Sequence, residues 1–173
     1  MKALKLRVVI DAKGTTFRDI LIREDQTFEE LHLAIFSAFN FQGGVMASFY
    51  VSNEEWDKGE EIALMNVSDE RGRGPKMMDS TLLSDIIEGK DDKLIYVYDF
   101  MRMWCFYVEL MGTEEINSVQ VYPLVDMTFG DAPLEDSKDL DLGEMPGATL
   151  GEEEDEDLED EIGGMFNDFE DGY

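Results

Sequence analysis

Apolar and polar residues alternate strictly near the start of the chain. Leu4, Leu6, Val8 and Ile10 fall on one side, Lys5 and Arg7 on the other. That period of two is the signature of a half-buried strand. Lys13-Gly14 supplies a turn and Phe17 to Ile22 reads as a second strand, so the pattern predicts a hairpin. The period then changes. Thr27-Phe28-Glu29-Glu30 has the form of a capping box, in which the Thr27 hydroxyl and the Glu30 carboxylate each accept from the other's backbone N–H. Phe28, Leu31, Ile35 and Ala38 recur at spacings of three and four, which predicts a helix to about Asn40, ended by Gly43-Gly44. Val45 to Val51 predicts a strand, and Ile62 to Val67 another after an acidic loop around Trp56. Residues 69–78, with Arg71-Gly72-Arg73-Gly74-Pro75-Lys76, predict a mobile basic loop. Thr81 to Ile87 predicts one or two helical turns. Lys93 to Phe100 and Met103 to Met111 are rich in aromatic and β-branched residues and read as strands. Ser118 to Val125 reads as a last strand.

These elements predict an α+β fold: a mixed sheet of about five to seven strands, one main helix and a short second helix. Their order is similar to the β-grasp, ubiquitin-like pattern. Thr81 to Ile87, followed by Asp91 to Tyr98, resembles the short turn before the central last strand of that fold.

Charge changes the picture of how much of the chain folds. Lys and Arg total 14, Asp and Glu total 41, and the formal net charge is −27. Residues 1–130 hold 23 acidic and 13 basic residues, a net of −10, and are expected to form the folded domain. Residues 131–173 hold 18 acidic residues and Lys138 alone against them, a net of −17. Glu152, Glu153, Glu154, Asp155, Glu156 and Asp157 run without a break. Such a block repels itself and buries too little apolar surface to fold alone, so 131–173 is expected to be a disordered acidic tail. Phe166, Phe169 and Tyr173 set an aromatic motif in the acidic field of its last residues. This balance argues against tight direct binding of nucleic acid or anionic lipid, both of which call for Lys and Arg. A partner selected by charge is a basic protein surface.

One cysteine, Cys105, excludes an intramolecular disulfide. Met1 to Arg7 interleaves charge with apolar residues, unlike a secretory signal, and no run approaches a membrane span. A cytoplasmic protein is expected. Candidate chemistry is sparse. His32 is the only histidine, and following Leu31 it lies about 100° from the core-facing stripe, so it reads as a half-exposed helix residue. Cys105, within Met103 to Val108, reads as a buried inert thiol. One His and one Cys are too few for a zinc site. Gly72-Arg73-Gly74-Pro75-Lys76 lacks phosphate-loop spacing, and Asp160 stands where a calcium loop starting at Asp155 needs Gly. No catalytic residue, metal or cofactor is assigned. Met101, Met103 and Met111 read as core residues or as an adaptable surface.

Three segments together resemble a known family. Phe17 to Ile22 is followed by Thr27 to Phe39, and then by Tyr98, Asp99 and Phe100, with Trp104 four residues on. This order is similar to the plasmid pRiA ORF-three-like family, also labelled insertion-element passenger TnpR-like, over roughly residues 1–125. The family pattern is Tyr-Asp-Phe-Gly-Asp-x-Trp with a His soon after. Here Met101 and Arg102 stand at the Gly and Asp positions, and Cys105-Phe106 follow Trp104. The resemblance brings no established activity.

The expected function is a non-enzymatic protein-interaction module whose acidic tail engages a basic partner by electrostatic steering and aromatic anchoring. Three alternatives stand beside it. In one, the tail mimics nucleic acid in a basic groove of a ribosomal, transcription or DNA-processing protein. In another, an enzyme site surrounds Tyr98, Asp99, Arg102 and Trp104. In the last, the tail serves only solubility.

Overall fold

The computed structural model describes residues 1–66, 74–89 and 91–139. Among the described residues, eight strands and two α-helices follow in chain order: β1 (Lys2–Ile10), β2 (Phe17–Arg23), α1 (Phe28–Ala38), β3 (Ala47–Ser52), β4 (Glu61–Ala63), β5 (Lys76–Met77), α2 (Leu83–Ile86), β6 (Lys93–Tyr98), β7 (Trp104–Glu115) and β8 (Leu124–Phe129). The strands form one sheet in the order β5-β4-β3-β6-β7-β1-β2-β8. Every neighbouring pair is antiparallel except β4 and β5.

The α+β class is as expected, but the sheet is larger than five to seven strands. The added strand is β5, two residues long and inside the segment read as a loop. Two residues are too few to show any period. Nor is β6 the last strand. It lies between β3 and β7, and β7 separates it from β1.

Alternation places the core. Leu6 faces Leu110, Val8 faces Val108 and Ile10 faces Phe106 across β1 and β7. Phe106 in turn faces Tyr96 on β6. These side chains share one face of the sheet and form a single buried cluster with Phe28, Leu31, Ile35 and Phe39 from the helix segment. Phe39 meets Phe106 edge-on at 5.0 Å, and Phe28 meets Phe49 at 5.1 Å.

The helix starts at its sequence signal. The Glu30 amide donates to the Thr27 hydroxyl at 3.2 Å, and the Thr27 amide donates to the Glu30 carboxylate at 2.9 Å. It ends at Ala38, two residues before the expected end. Asn40 adopts φ 63°, a left-handed conformation that no α-helix continues through. Gly43, at φ 82°, is required by space as well: a Cβ there would sit 2.6 Å from the Phe36 ring.

The strand expected over Ser118 to Val125 is displaced to Leu124–Phe129. Pro123 has no N–H for a ladder, so pairing begins only after it. Before it, Tyr122 closes a turn: its hydroxyl accepts from the Asn117 amide and donates to Gln120, each at 3.1 Å. Val119 and Val121 alternate with polar residues as a strand would, yet both are exposed.

His32 is not half-exposed. It is buried at 4% exposure, and Nδ1 lies 2.6 Å from the Tyr96 hydroxyl. A sheet extending under α1 through β6 and β3 lets the helix bury a wider arc than its Leu31–Ile35 stripe. Leu33, the next residue, is left outside.

Candidate functional site

The family-pattern residues meet at one end of the sheet, in the turn between β6 and β7. Tyr98 is the last residue of β6 and faces Trp104, the first of β7. Asp99 opens the turn at φ 68° and Met103 closes it at φ 56°. The Asp99 carboxylate accepts from the amides of Met101 at 3.0 Å and Arg102 at 3.3 Å, while its own amide donates to the Met46 carbonyl at 2.7 Å. Asp is among the few residues that tolerate left-handed backbone, because its short side chain bonds locally. Met101 stands at the family's Gly position, but the positive φ values fall on Asp99 and Met103, so a side chain at 101 meets no left-handed strain. Phe100 and Met101 project from the tip and are exposed.

A strap formed by residues 131–139 crosses this turn. Glu135 holds it. The Glu135 carboxylate accepts from the Tyr98 hydroxyl and from the Gln42 amide, both at 2.7 Å, and its backbone carbonyl accepts from the Trp104 indole at 3.0 Å. The Tyr98 oxygen also accepts from the Gly43 amide at 2.7 Å. The Lys138 ammonium donates to the Met103 carbonyl at 3.0 Å, and Arg102 donates to the Lys138 carbonyl. Arg102, at the family's Asp position, thus joins the turn to the strap, with Asp99 3.8 Å away. Burial, together with the bond to Glu135, pushes the Tyr98 phenol above its ordinary range, so it stays neutral and acts as a hydrogen-bonding post.

Residue 130 was expected to close the folded domain. Glu135 and Lys138 lie beyond it, inside the segment assigned to the tail. Their one signal in the sequence is Lys138, a single cation in an acidic field. Glu152, Glu153, Glu154, Asp155, Glu156, Asp157, Phe166, Phe169 and Tyr173 lie outside the described residues.

Beside the strap is a cleft of about 590 Å³ lined by Asp11, Lys13, Thr16, Trp104, Asp131 and Lys138 among others, with charges of both signs. A second concavity, about 470 Å³ and largely apolar, lies between α1 and β8. Cys105 is half-buried, and burial pushes its thiol up, away from the reactive thiolate. Among the described residues no group of three or more His, Cys, Asp or Glu is placed to hold a metal ion, and no helix is long and apolar enough to cross a membrane.

The described cations are mostly engaged at home. Lys2, Lys5, Arg7, Arg23, Lys76, Lys93 and Arg102 each pair with a carboxylate of the same domain. Arg18 is buried and donates to the carbonyls of Ala38, Phe17, Phe129 and Gly130. Lys58 lies over the Tyr50 ring at 5.1 Å.

Comparison with known proteins supplies a lineage. A search of curated proteins found no match. Among solved structures, the chain is similar to the crystal structure of a protein of unknown function, MM3350 from Methanosarcina mazei Go1. The TM-score is 0.67 at 23% identity, covering 92% of this chain and 82% of that one. At that identity the likeness establishes the fold. The family model described as plasmid pRiA4b ORF-3-like protein matches residues 2–171, well past the residue 125 at which the sequence resemblance ended. The ordered motifs from Phe17 to Trp104, the turn they build and a match across nearly the whole length lead to one statement: this chain belongs to the plasmid pRiA4b ORF-3-like protein family.

Proposed function

We propose that this protein is a non-enzymatic interaction module that presents the acidic residues beyond its strap, Glu152 to Asp157 above all, to a basic surface of a partner protein in the cytoplasm. One observation carries the reading: the described cations are mostly paired within their own domain, while residues 131–173 bring a net charge of −17. A carboxylate block of that size finds its counter-charge most readily in another molecule. The aromatic residues Phe166, Phe169 and Tyr173 then supply apolar anchors. The hairpin, helix and following strands support reading the scaffold as an enlarged β-grasp-like frame.

The test keeps the chain at full length. Glu152, Glu153, Glu154 and Glu156 are changed to Gln, and Asp155 and Asp157 to Asn. Partners are recovered from the native cell by crosslinking with wild type and variant. The expected result is a basic protein held by wild type and lost or weakened at least tenfold in the variant, with binding that falls steeply as salt rises. Equal recovery of every partner by both chains sinks the reading. Displacement of the partner by DNA or RNA would instead identify the acidic segment as a nucleic-acid mimic.

A further inference from the structure

The two edges of the sheet are unlike. The β5 edge is two residues long and carries Lys76. Short length and a lysine are the usual protections of an edge against pairing with another chain. The β8 edge has neither. It runs six residues, Leu124–Phe129, and among the described residues pairs on one side only, with β2. Val125, Met127 and Phe129 are 45%, 50% and 52% exposed. Its one charge, Asp126, sits at an irregularity in the register and is occupied by Lys5 at 3.3 Å. Alongside lies the apolar groove between α1 and β8, where Leu33, Ala34, Pro123 and Val125 form part of the wall and Glu30 adds a carboxylate.

This combination fits strand addition. The backbone of an extended segment would bond to the free edge of β8, and alternate apolar side chains would enter the groove. Charge selects the occupant. Residues 118–130, which contain the edge strand, carry Asp126 and no Lys, Arg or His, and Glu30 lines the groove. A second copy of this chain would bring another −27 to the same edge, which Coulomb repulsion opposes. A segment with Lys or Arg between its apolar residues meets no such repulsion.

We propose that the free edge of β8, with the groove between β8 and α1, receives an extended, basic and apolar segment of a partner protein as a ninth strand. The proposal rests on the reading that the partner is basic, but the two fail separately. Neutralising Glu152 to Asp157 leaves β8 intact, and altering the groove leaves the charge of residues 131–173 unchanged.

The probe is an eight-residue peptide alternating lysine and valine, with a glutamate–valine peptide as control, added to the full chain. Amide hydrogen exchange is followed residue by residue. The expected result is at least tenfold slower exchange at outward-facing amides of Leu124–Phe129 with the lysine peptide, none with the control, and no change at Lys76–Met77. Leu33→Ser with Val125→Ser, both at exposed positions, should weaken the lysine peptide at least tenfold with unchanged circular dichroism. No protection at β8 overturns the proposal, as does unchanged affinity in the double variant. A doubled solution mass with β8 already protected before any peptide is added also overturns it, because a second copy then covers the edge.

Discussion

His32 holds its position by staying uncharged. Burial lowers its pKa to about 4 from an ordinary 6.5, so near neutral pH it is an imidazole bonded to the Tyr96 hydroxyl. The folded-state pKa lies below the unfolded one. Above about pH 6.5 neither state binds the proton and His32 adds no pH dependence. Between 6.5 and 4 the unfolded chain takes a proton the folded chain refuses, so stability falls with pH, by about 3 kcal/mol over the whole window. Many carboxylates begin to titrate at the acid end of that window, so the effect is read as a difference. Between pH 7 and pH 5, the stability advantage of wild type over His32→Gln should shrink by about 2 kcal/mol in urea unfolding. Parallel pH curves for the two proteins would remove His32 from this role. Its place in the core was not legible in the sequence, because Leu31 and Ile35 mark the centre of the buried arc and not its width. That width is set by strands contributed from residues 47 to 98.

Between single residues and the sheet lies the strap. Its hold on the β6–β7 turn converges on Glu135, which gathers a phenol, an amide and an indole. Glu135→Ala removes the acceptor of the first two. Leaving a buried hydroxyl and an amide short of a partner should lower stability by about 1–3 kcal/mol. Trp104 should report it as well, since the strap that covers its indole is freed and its emission shifts to the red. An unchanged unfolding midpoint and spectrum would show that the strap is held elsewhere. The turn motif itself was legible, as Tyr98, Asp99, Phe100 and Trp104 are adjacent in sequence. Its partners were not. They arrive from Gln42, Gly43 and Glu135, and a hydrogen bond between distant loops leaves no period to read. The β8 strand was misplaced for a related reason. Val119 and Val121 carry the alternation of a strand, while Pro123 withholds the N–H a strand needs.

The whole molecule is shaped by like charge. Seven ion pairs among the described residues work against a formal charge of −27. Salt weakens both, with opposite effects on stability. Exposed pairs contribute about 0–1 kcal/mol each and many contribute nothing measurable, whereas repulsion among dozens of carboxylates is collective. Repulsion should win. Raising sodium chloride from about 10 mM to 150 mM shortens the screening length from about 30 Å to 8 Å. The unfolding temperature at pH 7 should rise with it, by roughly 4 °C for each kcal/mol of repulsion relieved. A flat or falling midpoint in calorimetry would mean that the pairs dominate. This uneven charge was legible in the order of residues, as were the fold class and most strands. The order of strands was not, because pairing is decided by the sheet as a whole. One such pairing governs how the protein comes into being. Leu6 faces Leu110 across β1 and β7, roughly a hundred positions apart, so the first strand leaves the ribosome long before its central neighbour exists. Until β7 is made, the apolar face of the opening hairpin and helix has no sheet to close on, and the newborn chain is a natural client for whatever shields greasy surfaces during synthesis.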